Sequence, residues 1–302
     1  MKKKIDASGI FYYNPKDWVG PIFRFHKSDT FRALFAMLAF MALYTWGVVY
    51  WEIKWLRLSE TSFARNLNIM HNLLGFAISM VLVYRTNTAY DRWWEGRKLW
   101  GALMNNSRNL AIKLNVFLGR SDQDTLDFFR HAIPLYAEAL RRHLAKDSTR
   151  LQLDAAAHPE LPDFNHLHHV PNKVAESILA RVNKLYKEGV ISGDQLIVLN
   201  EELRSFTDIC GGCERIKNTP IPFSYSAFIK KFIFIYVATL PFGFAFSLGY
   251  FAIPVTTFIF YVLASLELIA EEIEDPFGED NNDLPMETMA ANIRRNVEDI
   301  LG

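Results

Sequence analysis

The chain alternates between long apolar blocks and densely charged ones. The longest apolar block, from Phe232 to Leu266, contains no Asp, Glu, Lys, Arg or His. It exceeds the roughly 20 residues that one helix needs to cross a hydrocarbon core about 30 Å thick, and it is close to the length of two short spans. The residues from Ser247 to Tyr250 supply a turn near its middle. The pattern therefore predicts two antiparallel membrane helices here.

Two shorter apolar blocks precede this one. The first runs from about Phe31 to Trp51 and ends in the aromatic residues that favour a membrane interface. The second runs from about Leu67 to Val83 and contains more polar residues than the first. Polar groups at membrane depth are tolerated mainly where they face protein or a water-filled path, so this helix is not expected to face lipid all round. Its polar or small positions are Asn68, His71, Asn72, Gly75 and Ser79.

Basic residues flank the apolar blocks on one side. Lys2 to Lys4 precede the first block, Arg85 follows the second, and Lys230 and Lys231 lie just before the third. By the positive-inside rule these residues lie in the cytoplasm. The pattern predicts four crossings of the inner (plasma) membrane, with both termini cytoplasmic.

The charged middle of the chain shows apolar residues at three- and four-residue spacing, which is typical of helices. The predicted fold is an all-α membrane protein with four transmembrane helices and a helical cytosolic domain. Helices are predicted over Trp100–Leu118, Asp122–Leu144, Val174–Lys187 and Gln195–Cys210, with a loop over Ala155–Pro171. The predicted segments are an N-terminal cytosolic segment at 1–30, transmembrane helices 1 and 2 at 31–84, the helical domain at 85–227, transmembrane helices 3 and 4 at 228–270, and an acidic segment with a C-terminal helix at 271–302.

Composition narrows the classes of function. Lys and Arg together number 33, equal to the 33 Asp and Glu, so no overall positive charge points to nucleic acid as a partner. The sequence shows no nucleophile and base, and no set of metal ligands, at workable spacing, so an enzyme is not expected. Cys210 and Cys213 have the spacing of a dithiol motif but lack a βαβ context, which favours a structural role. His166, His168 and His169 lie in the Pro-containing loop without zinc-type spacing, and a solvated loop is expected there.

A stripe of residues recurs every four positions along the second span. Successive members drift by about 40° around a helix, so most of the stripe faces one direction. Two interpretations stay open. The stripe is a packing seam in a helical bundle, or several copies surround an axis and form a hydrophobic constriction that gates by dewetting. The stripe comprises Asn68, Asn72, Phe76, Met80 and Tyr84.

Four blocks of sequence resemble, in the same order, those of the bestrophins, and particularly of their bacterial homologues. They are LLGF at 73–76, YRTN to LWG over 84–101, GGCER with TPIPF over 211–223, and AEEIEDPFG with NDLP over 270–285. The resemblance implies a passive, homopentameric channel in the lipid bilayer that conducts small monovalent ions through one central pore.

The resemblance also assigns candidate pore residues. It implies a narrow neck at Phe76, Met80 and Tyr84, with Asn68 and Asn72 toward the outer entrance. Met80 is thin and flexible and Tyr84 adds a hydroxyl, so this neck is expected to wet more easily than one built from branched or purely apolar groups.

A second constriction is implied at the cytosolic exit, near Asp194 and Gln195. A ring of five Asp194 carboxylates would favour cations. An exposed aspartate that caps the start of a helix is the alternative interpretation of the same residue.

The acidic segment after Pro276 resembles the calcium clasp of animal bestrophins. The resemblance implies side-chain ligands from Asp280 and Asp283 and backbone oxygens from Glu272 and Asp275. Oxygen ligands in a turn suit Ca²⁺, but the spacing is not that of an EF-hand, and a solvated acidic surface is the alternative. No other cofactor is expected.

Ion selectivity is not fixed by these patterns. Chloride-type anions are favoured narrowly, on the acidic clasp and the aromatic neck, with a sodium-selective cation channel of the same fold as the alternative. A secondary transporter or a membrane-tethered scaffold is the second alternative.

Overall fold

The computed structural model describes residues 29–56, 67–119, 122–145, 169–278, 280 and 282–302. Within these residues all regular secondary structure is helical. The helices are α1 (Asp29–Trp51), α2 (Leu67–Leu118), α3 (Gln123–Leu144), α4 (Val170–Lys187), α5 (Gly193–Asn218), α6 (Phe223–Leu248), α7 (Ala252–Glu274) and α8 (Met286–Leu301). A π-helical turn, Glu52–Leu56, follows α1, and a 3₁₀ turn, Gly249–Phe251, joins α6 to α7.

These helices form two compact units. The first, called the membrane unit below, comprises the described residues up to 91 together with 221–274. The second, called the helical body, comprises the described residues of 92–220 and 275–302. Three stretches are long and apolar enough to cross a membrane, namely Thr30–Trp55, Ile69–Leu118 and Phe223–Glu274, and the last of them contains both α6 and α7.

The membrane unit packs α1 and α2 with the pair α6 and α7. Helix α6 ends at Leu248, and Gly249 adopts a φ of 52°, a left-handed conformation that a residue without a Cβ takes at little cost. The chain reverses there and α7 packs back against α6, so the predicted turn at 247–250 is confirmed. The core of the unit is apolar and consists of Leu38, Met41, Ile78, Leu82, Ile229, Ile233, Val237, Leu240 and Phe260.

Helix α2 differs from its prediction. We expected one helix to end near Val83 and another to begin at Trp100, but a single helix of 52 residues, about 78 Å long, continues through the charged segment between them. Charged residues alone do not end a helix, and the segment 84–99 contains no proline. Its one glycine, Gly96, serves packing, because a Cβ there would lie 3.1 Å from the Phe277 ring.

The predicted helices of the body are present, and their ends show which local signals were missed. Helix α3 begins where predicted, because Asp122 accepts a hydrogen bond from the Thr125 amide as its N-cap. Helix α4 begins four residues earlier than predicted, since Pro171 lies in its first turn, a position where proline is well tolerated. The rest of the predicted loop, up to residue 168, lies outside the described residues.

Helix α5 continues well past its predicted end at Cys210. Gly211 and Gly212 do not break it, and it extends to Asn218. A Cβ on Gly212 would lie 3.0 Å from the Leu99 side chain, so this glycine allows α5 to approach α2 closely. The body is held together by a core in which the Tyr136 hydroxyl donates to the Phe206 carbonyl at 2.6 Å.

Candidate pore-lining face

Helix α2 presents two different faces within the membrane unit. Its buried face repeats every three or four residues, as a helix packed on one side does. The members of the buried face are His71, Ile78, Leu82, Arg85 and Ala89. Phe76 lies two positions before Ile78, about 200° around the helix, so it belongs to the opposite face.

The predicted neck residues all lie on this opposite face. Phe76 is 71% exposed, Met80 43% and Tyr84 62%. They therefore do not form a packing seam inside the subunit. Each step of four residues rises about 6 Å, so the three side chains cover about 12 Å along the helix.

The outer part of this face is polar. Asn72 is exposed one turn before Phe76, whereas the side chain of Asn68 lies outside the described residues. From Ile69 to Val83 the only residue with an ionisable side chain is His71, which is buried. The exposed face of α2 is thus apolar or neutral from Ile69 to Val83.

Close packing between α2 and α6 supports the buried face. A Cβ on Gly75 would lie 2.8 Å from the Tyr236 hydroxyl oxygen, so a larger residue here would require the end of the Tyr236 side chain to shift. One turn away, Nε2 of His71 lies 3.0 Å from the Thr239 hydroxyl. Two of the small and polar residues noticed in the second span, His71 and Gly75, are therefore explained by contact with α6.

A buried ion-pair cluster lies directly after the predicted neck. The Arg85 Nη2 contacts a Glu274 oxygen at 2.7 Å, and its Nε contacts Glu267 at 3.4 Å. The Arg85 and Glu267 side chains are 1% and 4% exposed. The second Glu274 oxygen accepts the Ile221 amide at 2.6 Å. Because the Arg85 and Glu267 side chains are both buried inside the subunit, neither contributes an accessible charge to a pore.

Within the helical body, the last part of α2 contacts the end of α5. Arg92 donates to the carbonyls of Ile216 and Thr219, both at 2.6 Å. Arg215 pairs with Glu95 at 2.5 Å. Arg92 on α2 and Arg215 on α5 thus hold the end of α5 against α2.

The predicted exit residues have separate roles at the start of α5. Ser192 is the N-cap, and its hydroxyl accepts the Gln195 amide at 3.2 Å while the Gln195 side chain accepts the Ser192 amide at 2.8 Å. The suggestion that Asp194 caps this helix is therefore wrong. Asp194 is exposed in the first turn, and Ile197 beside it is 71% exposed. Ile197 was not among the predicted exit residues. The signal that could have found it is that this apolar residue is out of phase with the buried stripe that contains Leu199.

Three of the predicted calcium residues, Asp275, Asp280 and Asp283, lie in the turn after α7, whose backbone hydrogen bonds are made within the turn. An Asp283 carboxylate oxygen accepts the Asp280 amide at 2.6 Å, and the Asp275 carbonyl accepts the Gly278 amide at 3.4 Å. Asp280 is exposed, and Glu272 lies in the last two turns of α7. The Asp283 carboxylate thus already holds the turn that a cation would organise, so the fit to Ca²⁺ is incomplete and calcium binding stays a prediction.

The two cysteines are buried on one face of α5. Burial, reinforced by the nearby Glu214 charge, raises the pKa of the Cys210 thiol to about 12. Burial raises the pKa of Cys213 as well. Neither thiol is ionised at neutral pH, which agrees with a structural role and not with a redox or metal-binding one.

The histidine loop needs a correction. His169 does not lie in a solvated loop: its Nδ1 accepts the Asn172 amide at 3.2 Å as the N-cap of α4, and its Nε2 contacts Glu214. His166 and His168 lie outside the described residues.

Comparisons with known proteins agree with this architecture. The family described as bacterial/fungal bestrophin protein matches residues 11–299. A voltage-dependent anion channel-forming protein of Nostoc sp. is 34% identical over 230 residues, which cover 75% of each chain. A protein of the same description from Ralstonia nicotianae is 33% identical over 259 residues, covering 84% of this chain and 81% of the relative.

The fold has solved counterparts as well. A crystal structure of a bacterial bestrophin homologue from Klebsiella pneumoniae matches with a TM-score of 0.78 and 26% identity, covering 89% of this chain and 100% of the other. The match to the family profile covers nearly the whole chain, including α2 and its neck residues. This chain therefore belongs to the bestrophin family.

Proposed function

We propose that this protein is a passive ion channel that conducts chloride-type anions through a pore lined by α2 from five identical subunits. The single observation that supports it most is the exposed, uncharged face of α2 that carries Phe76, Met80 and Tyr84. The family and the relatives named as anion channel-forming proteins indicate a channel rather than an enzyme.

The neck in this proposal is a hydrophobic gate. An ion that passes rings of Phe76, Met80 and Tyr84 meets no compensating charge and must shed part of its water. Weakly hydrated anions lose water at the lowest cost. We therefore expect iodide and bromide to permeate at least as well as chloride.

The same architecture supports the alternative of a cation channel, on one specific observation. Asp194 is exposed and takes no part in the capping of α5, so five copies could form an acidic ring at the cytosolic exit. Arg85 and Glu267 are buried, so their charges are not expected to act on an ion in the pore. Selectivity then depends mainly on Asp194 and on the neck.

The transporter alternative receives less support. A midplane substrate site in a transporter is typically built from broken helices. Helix α6 continues through Pro241, and Pro254 lies in the first turn of α7, so neither proline interrupts a helix in the described part of the membrane unit.

The deciding experiment is the reversal potential of the purified protein in a planar bilayer under a NaCl gradient. A potential close to that of chloride supports the anion channel, and one close to that of sodium supports the alternative. Single-channel current steps would exclude a transporter. A complete absence of ion flux would support the alternative of a membrane-tethered scaffold. Mass measurement of the detergent-solubilised protein tests the pentamer.

The role of Asp194 has its own variant. Asp194→Asn removes the charge without changing the size of the side chain, and we expect it to shift the reversal potential toward chloride. Ser192→Ala is the matched control, since it weakens the start of α5 by about 1 kcal/mol without changing charge. An equal shift in both variants would assign the effect to the helix end and not to the carboxylate.

In this proposal the protein lies in the inner membrane with both termini in the cytoplasm, as the basic flanks of the apolar blocks indicate. The calcium clasp is a separate question. Calorimetric titration of CaCl₂ into the wild type and into Asp283→Asn tests it, and heat that is absent at millimolar calcium would exclude the site.

A further inference from the structure

Three side chains of the kind that bind metals converge inside the helical body. His143 lies in the last turn of α3, His169 caps the start of α4, and Glu214 lies on α5. Nε2 of His143 is 2.6 Å from Oε1 of Glu214, and Nε2 of His169 is 2.8 Å from the same oxygen. The two imidazole rings are 4.6 Å apart between centroids. Histidine and carboxylate atoms from three different helices thus point at one place.

Local structure fixes the orientation of these groups. Because Nδ1 of His169 accepts the Asn172 amide, it carries no proton, and Nε2 is the nitrogen that faces Glu214. Lys217 donates to the His143 carbonyl at 2.9 Å and holds the end of α3 against α5. In the metal-free protein Nε2 of His169 therefore carries the ring proton and donates it to Glu214. An ion bound at Nε2 would move that proton to Nδ1, so His169 would exchange its contact with the Asn172 amide for the bond to the ion.

Glu214 offers a carboxylate that both histidines already contact through one oxygen. The three side chains are between 21% and 32% exposed, so an ion can reach them from solvent.

The donor set is suited to zinc or a similar transition-metal ion. Imidazole nitrogen and carboxylate oxygen are its usual ligands, whereas Ca²⁺ requires six or more oxygens. Tetrahedral coordination at ordinary Zn–N and Zn–O distances separates neighbouring ligand atoms by about 3.3 Å. Here the ligand atoms all lie within 4.8 Å of one another. Shifts below about 1 Å in the contacts to Glu214 would open the space for an ion.

We propose that His143, His169 and Glu214 bind one Zn²⁺ per subunit, with water at the fourth position. The ion would join the end of α3, the start of α4 and α5. This site is independent of the proposed ion pathway, and its test does not use ion flux.

The test is calorimetric titration of ZnCl₂ into the full-length protein in detergent after treatment with a chelator. We expect one ion per subunit. Glu214→Gln, His143→Gln and His169→Asn should each weaken binding at least about tenfold, since even changes beyond the ligands themselves often have effects of this size. His169→Asn keeps a good N-cap residue for α4, and the two glutamine variants keep hydrogen-bonding groups, so folding is preserved.

The control is His131→Ala, which removes an exposed histidine from the same helix as His143. It should leave zinc affinity unchanged. Cobalt gives a second readout, because Co²⁺ in a site of this kind has visible absorption bands that the three ligand variants should lose. If zinc does not bind at one ion per subunit, or binds equally well to the three variants, the cluster is a set of hydrogen bonds only and the proposal is wrong.

Discussion

The two faces of α2 in the membrane unit differ in polarity, and the difference is opposite to that of a helix on the surface of a soluble protein. The buried face carries an imidazole at His71 and a guanidinium at Arg85, and each contacts a side chain from another helix. The exposed face carries Phe76, Met80 and Tyr84, which the chain itself does not cover. The buried face thus holds two ionisable groups among its apolar residues, and the exposed face holds large apolar groups.

The contrast follows from the solvent. Lipid provides little hydrophobic drive to bury one apolar side chain against another, so membrane helices are held together by close packing, small residues and buried polar contacts. Gly75 against Tyr236 and His71 against Thr239 are contacts of this kind. The apolar face of α2 is then free for another role, and in our proposal that role is the neck.

The most severe test of the buried face is Arg85→Ala. The change leaves the Glu267 and Glu274 carboxylates without their shared cation, and removal of one partner from a buried ion pair costs about 3–5 kcal/mol. We expect a large fall in the midpoint of thermal unfolding in detergent, or loss of folded protein.

A surface pair provides the matched control. Arg204 lies 3.4 Å from Asp208 on α5, and both side chains are more than half exposed. Arg204→Ala removes the same group but should change stability little, because exposed ion pairs are screened. If both variants lose stability equally, the cluster around Arg85 has no special role.

The exposed face is tested by Met80→Ala. A smaller side chain widens the neck and lowers its barrier to wetting, so conductance or open probability should rise severalfold while stability changes little. Met37→Ala is the control, since Met37 is also half exposed but lies on α1. Unchanged single-channel currents in Met80→Ala would exclude this residue from the gate.

The sequence was sufficient to place the apolar helices and to identify the four-residue stripe on α2, although not to decide whether that stripe is buried. The apolar blocks, the turn at Gly249 and the four-residue stripe are local patterns, and each corresponds to a feature of the structure. The uncertain part was the junction after Val83, where a change from apolar to charged residues suggested an end of the helix. A change of solvent along a helix leaves its backbone hydrogen bonds intact, so composition alone does not mark the boundary.

Contacts between distant residues could not be predicted. Arg85 is separated from Glu267 by 182 positions, and His143 from Glu214 by 71. A single sequence contains no signal that pairs such residues. It does show that a single residue is unusual for its surroundings, such as a histidine in an apolar span. His71 was noticed in this way, but its partner Thr239 was not.

That partner gives a smaller prediction for the buried face. Thr239→Val keeps the shape of the side chain but removes the hydroxyl, which leaves Nε2 of His71 without this contact. We expect a loss of about 1 kcal/mol, a typical value for one hydrogen bond in a membrane protein. Thr239→Ser, which keeps the hydroxyl, should retain most of the stability. The contribution of the contact is then the difference between the two unfolding midpoints.

The smallest effect is expected for Gly75→Ala, because two terms oppose each other. Alanine favours the helix by up to about 1 kcal/mol, but its Cβ would lie 2.8 Å from the Tyr236 hydroxyl and overpacking costs about 1–3 kcal/mol. We expect a slight net loss of stability in the wild-type background. In a Tyr236→Phe background the clashing oxygen is absent, so the same change should become neutral or stabilising. If Gly75→Ala costs the same in both backgrounds, the hydroxyl does not set the distance between α2 and α6, and the close packing of the buried face must come from other residues.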